Sequence, residues 1–225
     1  MSKIFVLGLS RTGTTSLHVA LALMGFASVH YPAAAARRWL AGNFRAGLLA
    51  DFDACLDLPT PLYYPQLDAV YPGSRFILLE RDEDAWLDSV RRQWAAASPP
   101  GPRTQLRDVI RIAVYGVDRF NASRLRHVFR THRRNVLEYF RGRRDLLVLD
   151  VTQGDPWAAL CGFLERERPA DCEAFPRLRS PYIGPLAAVR REELSEKRAK
   201  LLALVRGDLD LSVRQVPPPR TPPPA

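Results

Sequence analysis

The feature that most restricts this chain is a loop, Gly8-Leu9-Ser10-Arg11-Thr12-Gly13-Thr14-Thr15, placed between a buried-strand pattern and a helix pattern. Before it, Lys3-Ile4-Phe5-Val6-Leu7 is a short apolar, β-rich run of the kind a parallel strand shows when both faces are covered. After it, Leu17, Ala20, Leu21 and Met24 fall on one helical face from Thr15 to Met24, and Gly25 is a natural helix end. Glycines let the backbone wrap tightly, so that successive N–H groups and the helix N-terminus converge on one point. An anion fits there, and the hydroxyls of Thr14, Thr15 and Ser16 add donors.

Similar short apolar runs recur at Ala27 to His30, Ala54 to Leu58, Arg75 to Glu80 and Asp145 to Asp150, with helical patterns between most of them. Strands alternating with helices predict an α/β fold with a parallel sheet covered on both faces. Asp82 to Ala97 opens with three acids, which suit a helix N-terminus, and Pro99-Pro100-Gly101-Pro102 then breaks the chain. Two helices are expected over roughly 103 to 116 and 119 to 141, another from Asp155-Pro156-Trp157, and a charged one from Glu192 to Val205. The expected organisation is one domain over 1–215, with an arginine-rich helical insertion over 103–144. The six prolines between Pro217 and Ala225 predict a disordered tail over 216–225.

Charge is unevenly placed. The formal net charge is +9, and the whole surplus lies in residues 103–144, where 12 arginines face only Asp108, Asp118 and Glu138. Such a segment suits a solvated helical face, the rim of an anionic-ligand site, or nucleic acid. With 30 arginines to 3 lysines in the chain, a coding preference for arginine accounts for part of it. Cys55, Cys161 and Cys172 cannot all pair within one chain and show no C-x-x-C spacing, so neither a disulfide framework nor a metal site is expected. No apolar run is long enough to span a bilayer, and no signal-peptide cleavage pattern follows Ile4 to Leu9. A cytoplasmic protein is the expectation.

The loop nearly satisfies the nucleoside-triphosphate pattern G-x-x-x-x-G-K-[ST], but Thr14 occupies the lysine position. That lysine serves the β- and γ-phosphates, and a threonine does not replace its charge, whereas Arg11 places a permanent cation on the loop itself. The expected ligand is therefore a phosphate-bearing donor other than ATP in its kinase role.

Ser10-Arg11-Thr12-Gly13-Thr14-Thr15-Ser16-Leu17 resembles the 5'-phosphosulfate loop of sulfotransferases that use 3'-phosphoadenosine 5'-phosphosulfate (PAPS). Phe76-Ile77-Leu78-Leu79-Glu80-Arg81-Asp82, followed by Trp86 and Ser89, is similar to that family's 3'-phosphate site. A third block, Leu147 to Asp150 through Trp157, Leu160-Cys161, Phe163-Leu164 and Phe175-Pro176, agrees in family order. Compact bacterial-type members resemble the chain best. The resemblance implies a three-layer α/β/α fold of the P-loop nucleoside triphosphate hydrolase type, with a central parallel sheet. It also implies PAPS as donor, no required metal and a small-molecule acceptor; no nucleic acid or membrane insertion is expected, and a homodimer is allowed.

Carried over residue by residue, the resemblance gives Ser10, Arg11, Thr12, Gly13, Thr14, Thr15 and Ser16 to the 5'-phosphosulfate, and Arg81 and Ser89 to the 3'-phosphate. Arg11 would neutralise charge growing on the bridging oxygen. Cytosolic members place their catalytic base in a His-Leu-Pro segment, which here reads Asp57-Leu58-Pro59. A carboxylate is a weak base unless burial or a neighbouring acid raises its proton affinity. His30, at the end of the second expected strand, is the alternative, and a further residue is a third. The family's C-terminal Arg-Lys-Gly block has no counterpart; Arg177, Arg179 or an arginine from 103–144 would complete the 3'-phosphate contact. Two rival readings remain. In a P-loop kinase or nucleotide hydrolase, Asp150 would hold magnesium; in a non-enzymatic polyanion or nucleic-acid binder, the arginine-rich helices would do the work.

Overall fold

Five apolar runs form the parallel strands of one sheet, β1 (Ile4–Val6), β2 (Ser28–His30), β3 (Ala54–Leu56), β4 (Arg75–Leu79) and β5 (Leu146–Leu149). The computed structural model describes residues 2–96, 105–178 and 183–209. A sixth strand, β6 (Ala188–Val189), lies antiparallel to β2 and completes the order β5-β4-β1-β3-β2-β6. Two residues carry no readable period, so the sequence patterns do not reveal this strand. Strand β1 is central, with Ile4 opposite Ala54 on one side and Arg75 on the other.

Alternation along β1 separates two cores. Ile4 and Val6 join a cluster with helices α1 (Thr14–Leu23), α7 (Pro156–Leu164) and α8 (Leu194–Arg206), through Leu17, Trp157, Leu160 and Leu201. Phe5 faces the opposite side, where Trp39 of α2 (Ala33–Leu40), Leu67 of α3 (Tyr64–Val70) and Val136 of α6 (Ala122–Tyr139) cover it. The result is helix, sheet, helix, as expected. A third cluster sits beyond the C-terminal ends of the strands. There Leu9 meets Trp86, Leu87, Val90 and Trp94 of α4 (Glu83–Ala96), and Ile110 and Tyr115 of α5 (Leu106–Tyr115).

One expectation is revised by packing. The sequence suggests an amphipathic first helix, yet all ten residues of α1 are buried, because α8 packs across the side that would otherwise meet water. His18 thus lies within the protein. Its Nε2–H donates to the Leu186 carbonyl at 2.7 Å, which leaves Nδ1 to accept from the Ser28 hydroxyl at 3.0 Å. A carbonyl only accepts, so the tautomer of His18 is fixed and the ring is neutral.

Part of the arginine surplus is met by acids outside the segment. Arg126 and Arg130 of α6 pair with Glu83, Arg126 also with Asp84, Arg133 with Glu80, and Arg143 with Asp68 and Asp145. These bridges lie mostly at the surface, where each adds little stability; they orient α6 over α4. The Pro99 to Pro102 break, the start of the segment at Arg103, Arg179 and the proline-rich tail fall outside the described residues.

Burial pulls the His18 pKa from 6.5 to about 3, and burial also lowers those of His30 and His132. Between those limits the unfolded chain binds a proton that the folded chain refuses at His18. Stability is therefore complete above about pH 6.5 and falls as the pH falls, by up to ~1.4 kcal/mol per pH unit for each such group. Urea unfolding followed from pH 7 to pH 4.5 should show this decline, and His18→Gln should make it shallower; an equal slope in the variant would remove His18 from the account.

Candidate active site

The loop turns sharply because two positions tolerate no side chain. A Cβ on Gly8 would lie 2.5 Å from Thr12 Oγ1 and 2.6 Å from Leu79 Cβ, so the chain leaves β1 pressed against β4. The Thr12 hydroxyl donates to the Leu9 carbonyl at 2.7 Å and braces the turn from inside. Arg11 and Gly13 then adopt φ of 75° and 104°, in the left-handed region, which swings the backbone into α1. At Gly13 a Cβ would meet Val151 Cγ2 at 2.3 Å.

Helix α1 consequently starts with no side-chain cap and no acid in its first turn. The first N–H groups of a helix have no intrahelical acceptor, and the helix dipole adds positive potential at the same place. Helix α4 and the turn before it hold the loop there. Trp86 Nε1–H donates to the Ser10 carbonyl at 2.9 Å, and Arg81 Nη1 donates to the Arg11 carbonyl at 2.8 Å. The Arg11 side chain folds back so that Nε donates to Ser89 Oγ at 2.9 Å. Burial, and then the nearby Arg81, lower the proton affinity of Arg11. Two guanidinium groups therefore face one small cavity of about 60 Å³, lined also by Ser10, Thr14, Thr15 and Gln93.

Opposite them stand the ends of β2 and β3, paired so that His30 lies beside Leu56. Asp57 follows directly, with φ of 64°, and accepts from Ser10 Oγ–H through Oδ1 at 2.7 Å. Its Oδ2 is 3.6 Å from His30 Nε2. That nitrogen lies 3.0 Å from Thr14 Oγ1 and 3.3 Å from Thr15 Oγ1. The two residues that the sequence offers as alternative bases are thus adjacent. Burial raises the Tyr31 and Tyr115 hydroxyl pKa values, and the Asp57 charge raises them further.

Residues 3–181 match the family model described as "Sulfotransferase domain". The chain belongs to that sulfotransferase family. A further relative is "Ava biosynthesis cluster protein M" of Aspergillus versicolor, 31% identical over a stretch that covers 40% of this chain and 42% of that protein. The chain spans less than half the length of this curated relative in that match.

Within this member of the sulfotransferase family, Ser10, Arg11, Gly13, Thr14, Thr15, Ser16, Arg81, His30 and Asp57 all line the cavity. Ser89 sits behind Arg11, and Thr12 is turned inward to Leu9. Ser16 Oγ accepts from the Leu178 N–H at 3.0 Å, which ties the segment after α7 across the start of α1. Gln93 was not anticipated; its place one helical turn after Ser89 is the signal that would have found it. Arg177 is exposed beside Leu178, while Arg126, Arg130 and Arg133 of α6 pair with Glu80, Glu83 and Asp84, and Arg124 donates to the Tyr115 carbonyl. Asp150, the magnesium ligand of the kinase reading, accepts instead from Thr152 N and Oγ1 in its own turn, at 2.8 and 2.6 Å.

Gly13→Ala would combine an unfavourable φ with a collision against Val151. The variant should lose about 1–3 kcal/mol in denaturant unfolding. A midpoint equal to the parent would show that the loop is free to relax.

Proposed function

We propose that this sulfotransferase moves a sulfuryl group from PAPS to a hydroxyl or amine of a small-molecule acceptor by in-line transfer. The observation that carries this reading is one small cavity with an uncapped helix N-terminus, Arg11 and Arg81 on one side and the Asp57 carboxylate on the other. When bound, PAPS supplies an electrophilic sulfuryl group and a 5'-phosphate leaving group. The chain's residues fit such a ligand, since the first N–H groups of α1 have no side-chain cap and the lining hydroxyls are short.

In this reading the α1 N–H groups and the hydroxyls of Thr14 and Thr15 hold the 5'-phosphate. Arg11 neutralises the charge that grows there as the bond to sulfur breaks. Arg81 and Ser89 hold the 3'-phosphate, with Arg177 a described candidate to complete that contact. Asp57 accepts the acceptor's proton as the new bond to sulfur forms, so that charge is conserved across the cavity. His30 is the less suitable base, because burial lowers its proton affinity and Nε2 already faces two hydroxyls. The same reading takes residues 1–215 as one domain working in the cytoplasm.

Arg11→Ala should lower turnover by at least roughly 10²-fold while the circular dichroism spectrum stays unchanged; near-normal activity would refute the assignment. Asp57→Asn should reduce kcat far more than affinity for adenosine 3',5'-bisphosphate, and an unchanged kcat would move the base elsewhere. In thermal-shift measurements, adenosine 3',5'-bisphosphate without magnesium should raise the Tm more than ATP does. A larger shift with magnesium and ATP would favour the kinase reading.

A further inference from the structure

His30 Nε2 is a node between three oxygens that belong to two functional halves of the cavity. Thr14 Oγ1 at 3.0 Å and Thr15 Oγ1 at 3.3 Å sit on the anion side, and Asp57 Oδ2 at 3.6 Å sits on the acceptor side. A neutral imidazole has two ways to meet them. If Nε2 is unprotonated, its lone pair faces a carboxylate, which is repulsive, and it draws the threonine hydrogens toward itself. If Nε2 carries the hydrogen, the carboxylate favours it, and both threonine oxygens become acceptors. Each hydroxyl has one hydrogen, so only in the second arrangement are both hydrogens free to turn toward the cavity.

We infer that His30 is a positioning residue: with its hydrogen on Nε2, in the tautomer that the Asp57 charge selects, it sets Thr14 and Thr15 as donors to the bound anion. Arg11 and Arg81 line the same cavity, on the side opposite Asp57. His18, whose ring centroid is 5.9 Å away, is held neutral with its own hydrogen on the Leu186 carbonyl. Acceptor-side and donor-side chemistry are thereby coupled through one ring, since neutralising Asp57 removes the charge that selects the tautomer. The consequence for catalysis rests on the PAPS reading above, whereas the tautomer itself does not.

The test has two arms on the full chain. In the ligand-free protein, long-range ¹H–¹⁵N correlation spectra of labelled histidine, with the His30 signal assigned by its loss in His30→Gln, should show Nε2–H. Asp57→Asn should shift the population toward Nδ1–H. A wild-type Nδ1–H ring, or a population indifferent to Asp57→Asn, would overturn the inference. In the second arm, calorimetry with adenosine 3',5'-bisphosphate should find binding about tenfold weaker in His30→Leu, and substantially restored in His30→Gln, whose amide N–H supplies the missing donor. Equal weakening in both variants would reduce His30 to a packing role. Should the parent protein bind no bisphosphate, the donor reading fails while the spectra still decide the tautomer, and they do so even if His30→Leu does not fold.

Discussion

A buried helix start without a cap is an electrostatic demand that the rest of the molecule is built around. The first turn of α1 presents N–H groups and the positive end of a dipole, and the chain sets Arg11 and Arg81 beside them instead of an acid. Like charges gathered in this way repel, and burial first and then the neighbouring Arg81 lower the proton affinity of Arg11. Asp57 is the carboxylate among the cavity-lining residues, and it stands on the far side. An anion between them relieves the repulsion and gives the unsatisfied donors partners, so ligand binding stabilises the part of the fold that is otherwise least favourable.

Much of this was legible in the amino-acid order, and the reasons are specific. Glycine at positions 8 and 13 answers to clashes of 2.5 and 2.3 Å, which is why those letters mark the loop without knowledge of the fold. Arg81 and Ser89 entered through the family resemblance, and they lie on the cavity and against Arg11 respectively. Other features depend on partners distant in sequence. That His30 and Asp57 meet follows from the parallel register of β2 with β3, which local patterns do not encode. The burial of every residue in α1 depends on α8, near the other end of the described chain.

The arginine-rich segment teaches the same lesson from the opposite direction. Its composition suggests a free cationic face, since only Asp108, Asp118 and Glu138 lie within it. The compensating carboxylates come from residues 68 to 84, on α3, on α4 and just after β4, and from Asp145 just beyond the segment. Counting charges in a window measures neighbours in sequence, whereas the ion pairs are neighbours across two packed helices.

Helix α4 and the turn before it reach the loop at three points, through Trp86 to the Ser10 carbonyl, Arg81 to the Arg11 carbonyl and Ser89 under the Arg11 side chain. Its shape is therefore preorganised, and no entropy of ordering is charged against the first encounter with a ligand. Arg11 and Arg81, two cations that line the cavity, are tied together through the Arg11 carbonyl and so keep a constant separation. Such a fixture acts as a ruler: a ligand whose two charged groups are too close together or too far apart engages one end and forfeits the other.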